Sequence, residues 1–268
     1  LHVRSRRQRQ MCIRDRPVAR GMYNFDEIRI EYFRDMAVAL EAFKAGQFDV
    51  NLEYSAKDWA TGYNSPALRA GRFVQEAFPN RNPAGMQGFV FNTRKPMFQD
   101  PRVREAIAQL FDFEWANKQL FYGAYKRTHS YFENSEMAAR GLPSPAELKL
   151  LEPLRGQIPD RVFTEAFAPP VSDGSGIIRD QARRAYQLLT EAGYRIENDK
   201  MVDANGNQLA FEFLNTQANL ERVILPFKRN LAELGIDLQI RRVDVSQYIN
   251  RLRSRDFDMT SALSLIHI

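Results

Sequence analysis

Apolar and charged residues alternate near the start of the chain. Residues 25–35 (FDEIRIEYFRD) place isoleucine, isoleucine and tyrosine at every second position, which predicts a half-buried strand. A helical apolar face follows, with Asp35 positioned to cap its first turn and Gly46 positioned to end it. Residues 48–53 (FDVNLE) predict a second short strand. Strand, helix and strand in close succession indicate an α/β unit.

The rest of the chain repeats this order of elements. GFVFN predicts a strand at residues 88–92, and Asp100 followed by Pro101 predicts the start of a helix. Asn205 and Gly206 predict the turn of a β-hairpin. Further predicted elements are a strand at 72–78, helices at 144–151, 179–193, 218–235 and 245–256, a strand at 236–244 and a strand that begins with DFDM at 256–259. Two strand–helix repetitions close together predict a second α/β lobe.

The positive charge of the chain is concentrated at its beginning. The 268 residues carry 38 basic and 33 acidic side chains, a net charge of +5. Residues 1–16 hold six arginines and Asp15, so the remainder has 38 − 6 = 32 basic and 33 − 1 = 32 acidic side chains. A basic arm on a neutral body is one way to bind nucleic acid. However, MCIRDR at 11–16 and LSLIHI at 263–268 resemble translated sequencing adaptors, so residues 1–16 and 263–268 are interpreted as sequencing artefacts.

Without these two ends, the chain has few of the residue types that catalytic sites use. The remaining residues contain no cysteine and a single histidine, His129, so neither a disulfide nor a Cys/His zinc site is expected. His129 lacks a paired nucleophile and an orienting acid at a recognisable spacing. The loop at 172–176 (SDGSG) follows irregular chain and lacks a GKS or GKT ending, so it does not predict a phosphate site. We therefore expect no catalysis, no cofactor and no metal.

Several segments, taken in order, resemble the extracytoplasmic solute-binding proteins of peptide ABC importers, family 5. They are GFVFNTRKPMFQDPRVREAI at 88–107, ARRAYQLLTEAGY at 182–194, DANGNQLAFEF at 203–213 and FKRNLAELGIDLQIRRVDVSQYINRLRSRDFDM at 227–259. Three others are similar to the oligopeptide and microcin C binding branch, namely MYNFDEIRIEYFRD at 22–35, VALEAFKAGQFDVNLEYSAKDWA at 38–60 and SYFENSEMAA at 130–139. The resemblance covers nearly all of residues 17–258.

This resemblance implies an α/β fold of the periplasmic-binding-protein type II class, with parts of both lobes present. Residues 17–91 would belong to lobe I, and residues 92–262 would form most of lobe II. The complete protein would be about twice as long, with the signal peptide and the return strand outside this sequence. Its two lobes would close on a peptide across a hinge. The isolated chain is therefore expected to bind peptide poorly.

Residues at the crossing strand and at one strand–helix junction are expected to contact the ligand. A crossing strand offers backbone groups to an extended peptide, and an arginine at the junction could hold a carboxylate. The residues predicted to bind ligand are Tyr32, Arg34, Gln87, Phe89, Asn92, Tyr131 and Asn134. The competing interpretation makes Phe89 a core residue, Asn92 a turn residue and Arg34 a solvated cation. Asp35 is interpreted as a helix cap.

The resemblance implies a monomeric periplasmic receptor that passes oligopeptides or peptide-like compounds to the permease of an ABC importer. Another solute, such as a nucleotide-peptide antibiotic, is the alternative within this class. A nucleic-acid-binding protein that uses the arginine-rich arm is the alternative from another class, although no nucleic-acid partner is expected. A hydrolase is the third alternative.

Overall fold

The computed structural model describes residues 17, 25–33, 35–79 and 82–264. The chain divides into two compact units, which we call the first unit (residues 1–77) and the second unit (residues 78–268). The lobe boundary predicted between residues 91 and 92 concerns the complete protein, and it stays a prediction.

Helical elements of the first unit form where the sequence supplies caps. Asp35 accepts hydrogen bonds at Oδ1 from the backbone N–H groups of Ala37 (2.8 Å) and Val38 (3.2 Å), which confirms its predicted role as a cap. Gly46 takes a positive φ of 78° just beyond the helix, as predicted. The helical elements are α1 (Met36–Lys44), a π-helical turn (Asp58–Gly62) and α2 (Pro66–Arg69).

An aromatic cluster holds the first unit together. Its neighbouring ring centroids lie 5.2 to 6.4 Å apart, and its members are Phe33, Phe43, Phe48, Trp59, Tyr63 and Phe73. The hydroxyl of Tyr63 accepts from Asn51 Nδ2 at 2.6 Å and donates to Glu53 Oε2 at 3.0 Å. Burial raises the pKa of Tyr63 to about 12 because the phenolate would lose its hydration.

The strands predicted at residues 25–35, 48–53 and 72–78 do not form among the described residues. Among the described residues of the first unit, no segment is assigned to a strand. Apolar side chains alternate with charged or polar ones in the first two segments, yet Ile30 is 62% exposed and Leu52 is 68% exposed. A strand requires a hydrogen-bonded neighbour, and alternation in the sequence cannot supply one. These three predictions are therefore wrong at the level of secondary structure.

The second unit contains both helices and strands. Its α-helices among the described residues are α3 (Pro101–Gln109), α4 (Phe113–Leu120), α5 (Pro145–Leu151), α6 (Arg161–Thr164), α7 (Arg179–Glu191), α8 (Ala218–Ala232) and α9 (Val245–Ser254). Short 3₁₀ turns lie at Pro96–Phe98 and Glu152–Leu154. Its strands are β1 (Met86–Phe91), β2 (Arg195–Glu197), β3 (Lys200–Val202), β4 (Ala210–Asn215), β5 (Asp237–Arg242) and β6 (Met259–Ser264).

Four of these strands form one mixed sheet in the order β1-β6-β4-β5. β4 is parallel to both β5 and β6, and α8 and α9 provide the connections from β4 to β5 and from β5 to β6. β1 is antiparallel to β6, with Met86 opposite Ser264. The first and the last of the described strands of this sheet are therefore neighbours.

The core of the second unit lies between this sheet and its helices. Ile107 of α3, Leu189 of α7, Leu231 of α8 and Phe213 of β4 are all fully buried. Burying a side chain of this size contributes about 1.5–3 kcal/mol. The helices were predicted because their apolar residues recur at helical spacing, and this core is where that apolar face packs.

The hairpin predicted around Asn205 and Gly206 forms only in part, and a different hairpin precedes it. β2 and β3 pair antiparallel, and their turn consists of Asn198 and Asp199, both with positive φ (50° and 60°). At the predicted turn, the segment from Asp203 to Asn207 closes only a single bridge, between Val202 and Gln208. The reason is that β4 pairs with β5 and β6 instead of with β3.

Candidate ligand-binding site

The two predicted residues on the crossing strand β1, Gln87 and Phe89, lie in different environments. Gln87 is exposed. Phe89 points into the core, where its ring lies 4.8 Å from that of Phe213 and 5.7 Å from that of Phe227, measured between centroids. Val90, on the opposite face, is 42% exposed. Of the predicted residues on β1, Gln87 is therefore the one that is exposed to solvent, and ligand contact by any of these residues stays a prediction.

Asn92 lies just beyond the end of β1 and is almost fully buried. Its Nδ2 donates to the carbonyl oxygens of Arg255 (3.0 Å) and Phe257 (2.8 Å), and its backbone N–H donates to Asp258 O (2.8 Å). Its Oδ1 accepts from the backbone N–H of Arg94. These bonds hold the turn that leads into β6, so the amide of Asn92 is already used within the second unit.

Tyr131 and Asn134 belong to a segment that is fastened to the chain just before β1. Asn134, at a positive φ of 62°, donates from Nδ2 to Asn82 O at 2.7 Å. Glu133 O accepts from the backbone N–H of Ala84 at 2.8 Å. Tyr131 itself is 60% exposed. The structure thus brings the Tyr131 and Asn134 segment close to the start of the crossing strand.

The remaining two predicted residues belong to the first unit. Tyr32 is 80% exposed. Arg34 lies outside the described residues. The predicted set is therefore represented in the second unit by Gln87, Phe89, Asn92, Tyr131 and Asn134.

An open groove of about 460 Å³ lies beside α4 in the second unit, at residues that sequence reasoning did not select. It is lined by Phe113, Glu114, Asn117, Lys118, Tyr122 and Gly123. Asn117 fixes the loop after α4, because its side chain bonds both the N–H and the C=O of Tyr125. The sequence signal for this groove is YGAY at 122–125, two tyrosines around a glycine directly after a helix.

The wall of this groove carries charges of both signs. Asp112 caps α4 through Trp115 N, and Glu114 accepts at Oε2 from the N–H of Ser172 (3.0 Å). The guanidinium of Arg127 lies over the rings of Phe111 and Phe113, with Cζ 5.7 and 5.3 Å from their centroids. Burial lowers the pKa of Arg127 from its usual value. The groove thus combines aromatic faces with the carboxylate of Glu114 and the ammonium group of Lys118, and Arg127 stacks on the ring of Phe113, which lines the groove.

The other candidate sites of the sequence have local roles in the structure. His129 is exposed, and its backbone N–H donates to Glu133 Oε2 at 3.4 Å. The loop at 172–176 packs against α4, and a Cβ at Gly176 would lie 3.0 Å from Trp115. In the part of the chain that the structure describes, no three His, Cys, Asp or Glu side chains are placed to hold a metal ion. A search of the same residues finds no helix with the length and apolarity needed to cross a membrane.

The mixed sheet with helical crossovers defines an α/β protein, and its relatives identify the class. A family model described as "Bacterial extracellular solute-binding proteins, family 5 Middle" matches residues 15–264. The chain belongs to family 5 of the bacterial extracellular solute-binding proteins.

Individual relatives and a solved structure agree with this assignment. The chain is 47% identical over 244 residues to "Uncharacterized protein YejA" of Escherichia coli, covering 91% of the chain and 40% of that protein. It is 44% identical over 246 residues to "Probable peptide-binding protein YejA" of Agrobacterium fabrum, again covering 91% and 40%. The oligopeptide-binding protein AppA of Bacillus subtilis, solved with a nonapeptide, matches with a TM-score of 0.60 and 16% identity over 85% of this chain and 39% of AppA.

These comparisons confirm the predicted fold class, and they also define the extent of the chain. It spans about 40% of the length of the curated relatives it matches. The family match begins at residue 15 and ends at residue 264, so it overlaps both ends that were interpreted as artefacts by two residues each. That interpretation stays a prediction.

Proposed function

We propose that the complete protein is the substrate-binding component of a bacterial ABC importer. It captures oligopeptides or peptide-like compounds in a hinged cleft and delivers them to the inner-membrane permease. The observation that carries this proposal is the family match over residues 15–264. The printed names of the Agrobacterium relative and of AppA, a peptide-binding protein and an oligopeptide-binding protein, support a peptide as the ligand.

The groove beside α4 supports the same proposal. A peptide carries an ammonium group, a carboxylate and a series of backbone amides, and its side chains vary. Glu114 and Lys118 offer charges of both signs to the termini, and Asn117 and Tyr122 offer polar and aromatic contacts. We propose that this groove, together with Gln87, Tyr131 and Asn134, forms the part of the ligand site that belongs to the second unit.

The proposal includes the setting in which the protein works. It acts in the periplasm as a monomer, without cofactor or nucleic acid, and it releases its ligand chemically unchanged. Mass spectrometry of peptides recovered after incubation with the purified complete protein tests the last point. Enzymatic cleavage above a buffer control would contradict a binding-only role.

A thermal-shift screen of the complete protein tests the central proposal. A ligand that binds only the folded state stabilises it by mass action, by about 2.7 kcal/mol at a hundredfold excess over Kd. Peptides of two to ten residues are expected to raise the Tm, whereas free amino acids and mononucleotides are expected to leave it unchanged. A shift with a nucleotide-peptide conjugate alone would indicate the alternative solute, and a shift with nucleotides alone would contradict the proposal.

Substitution at Tyr131 tests the predicted ligand site. Tyr131→Ala is expected to weaken peptide binding by about tenfold, because an exposed aromatic ring in a binding site supplies much contact area. Tyr186→Ala is the matched control, since Tyr186 lies on α7 and is also partly exposed, at 41%. Equal affinities of the two variants, measured by titration calorimetry, would remove Tyr131 from the site.

A further inference from the structure

The turn at residues 203–207 (DANGN) carries an exposed asparagine whose amide is free to react. Asn205 is exposed, and its side chain makes no hydrogen bond to another described residue. It is also the one asparagine of the 268-residue sequence that is followed by glycine. A Cβ added at Gly206 would have no neighbouring atom within 4 Å, so the space around this glycine is open. An unbonded amide therefore stands next to a backbone nitrogen that no side chain shields.

We propose that Asn205 is a site of spontaneous deamidation. The backbone nitrogen of Gly206 loses its proton to solvent and attacks Cγ of Asn205. The Nδ2 group takes up a proton and leaves as ammonia, and a cyclic succinimide remains. Water then opens the ring at one of its two carbonyls, which gives either aspartate or isoaspartate. The net change replaces the amide NH2 by OH, needs no oxidant or reductant, and is independent of what the protein binds.

Asp203 restrains the turn in which this reaction takes place. Its Oδ1 accepts from the backbone N–H groups of Asn205 and Asn207, both at 2.9 Å, and its carbonyl oxygen accepts from the N–H of Gly206 at 3.1 Å. Hydrogen bonds, above all from the backbone of Asn207, lower the pKa of Asp203, so its carboxylate stays charged at neutral pH. The attacking nitrogen must leave its bond before it can reach Cγ of Asn205. Asp203 therefore slows the reaction.

The two products differ in what they do to the turn. Either product adds a carboxylate close to that of Asp203, and like charges repel. Isoaspartate also lengthens the main chain between Val202 and Gln208, which form the bridge that closes the turn. We expect isoaspartate to open this bridge, whereas aspartate keeps a normal backbone and leaves it closed.

The experiment follows the complete protein during incubation in mildly alkaline buffer. Trypsin releases residues 201–222, and fragmentation in the mass spectrometer locates the converted residue. Asn64 is the internal comparison, because it is also exposed and precedes a small residue, Ser65, but its Oδ1 accepts from Arg69 at 2.9 Å. We expect Asn205 to convert first, and Asn205→Gln but not Asn64→Gln to remove this conversion. If Asn205 stays intact or converts no faster than Asn64, the proposal is overturned.

Variants of the turn test the restraint by Asp203. Asp203→Ala removes the acceptor of two backbone N–H groups and is expected to speed conversion of Asn205 by about two- to tenfold, the factor that corresponds to one net hydrogen bond. Asn207→Ala is the control, since it removes only the side-chain bond to Asp203 Oδ2 at 3.1 Å, and the rate should not change. Equal rates in wild type and Asp203→Ala, or equal acceleration by both variants, would overturn the role of Asp203.

Hydrogen exchange separates the effects of the two products. The N–H of Leu209 donates to Met201 O at 2.7 Å, directly beside the bridge. We expect this N–H to exchange faster in the isoaspartate form and at the wild-type rate in Asn205→Asp, which adds the charge without lengthening the backbone. Unchanged exchange in the isoaspartate form would overturn the expected opening of the bridge.

Discussion

Asn92 is a single residue on which the end of the sheet depends. Asn92→Ala removes the donor to the carbonyls of Arg255 and Phe257 and leaves both without that partner. We expect it to lower the free energy of unfolding of the second unit by about 3 kcal/mol, since each buried unsatisfied group costs about 1–3 kcal/mol. Urea unfolding in a Trp59→Phe background measures this, because Trp115 is then the remaining tryptophan of the chain.

The control for Asn92 is an asparagine in an exposed turn. Asn205 is exposed, and its side chain makes no hydrogen bond to another described residue. Asn205→Ala is expected to change stability by less than about 0.5 kcal/mol, as is usual for surface substitutions. Equal effects of the two substitutions would mean that the buried amide of Asn92 contributes little.

Tyr63 makes the first unit sensitive to alkaline pH. Its pKa is about 12 in the folded chain and about 10 when unfolded, because burial disfavours the phenolate. A raised pKa gives a stabilising contribution that is complete below pH 10 and is lost as the pH rises through 12. Between these limits we expect the wild type to lose roughly 2 kcal/mol more than Tyr63→Phe.

The measurement for Tyr63 uses the other tryptophan. Trp59 lies 6.4 Å from Tyr63 between ring centroids, so its fluorescence in a Trp115→Phe background follows the first unit. Tyr54→Phe is the matched control because Tyr54 belongs to the same unit and is 82% exposed. If the free energy of unfolding falls equally for wild type and Tyr63→Phe from pH 9 to 12, ionisation of Tyr63 is not the cause of the alkaline sensitivity.

At the scale of elements, the end of α8 fits tightly against the β2–β3 hairpin. Gly235 has a φ of +72°, and a Cβ there would lie 2.6 Å from Asp199 O and from Met201 N. Gly193, after α7, has a φ of +91°, and a Cβ added there would have no neighbouring atom within 4 Å. The two glycines thus share a left-handed conformation and differ in the space around them.

This difference predicts different costs for the same substitution. Gly193→Ala is expected to cost about 1 kcal/mol, the strain of a left-handed alanine. Gly235→Ala is expected to cost about 3 kcal/mol or more, because the hairpin backbone must also move. Thermal unfolding of both variants measures the difference. Equal destabilisation by the two substitutions would show that the hairpin backbone moves without a measurable loss of stability.

The elements that the sequence predicts well are those determined by neighbouring residues. Asp35 and Asp100 each bond the first N–H groups of the helix that follows, so a local signal is sufficient. Pairing of strands is not local, and for that reason residues 25–35 were predicted as a strand although the described residues of this segment pair with no other strand. The stacking of Arg127 was missed for the same reason, because nothing near Arg127 in the sequence indicates that Phe111 and Phe113 lie beneath it.

At the scale of the whole molecule, the net charge separates the two classes of function. Removing residues 1–16 changes the formal charge from +5 to zero, because six arginines and Asp15 leave together. A receptor for peptides needs no such arm, whereas a protein that binds nucleic acid through counterion release depends on it. Any affinity of the 268-residue chain for DNA should therefore come from these sixteen residues alone.

Deletion of residues 1–16 tests this attribution. We expect the intact chain to bind duplex DNA weakly, with an affinity that falls steeply between about 50 and 200 mM salt, and the deleted chain not to bind. Replacing Arg241 and Arg242, which are exposed on β5, by glutamine removes two charges from the body and should leave DNA binding unchanged. Salt-dependent binding that survives the deletion and is lost in the β5 variant would place a nucleic-acid surface on the second unit, contrary to the receptor proposal.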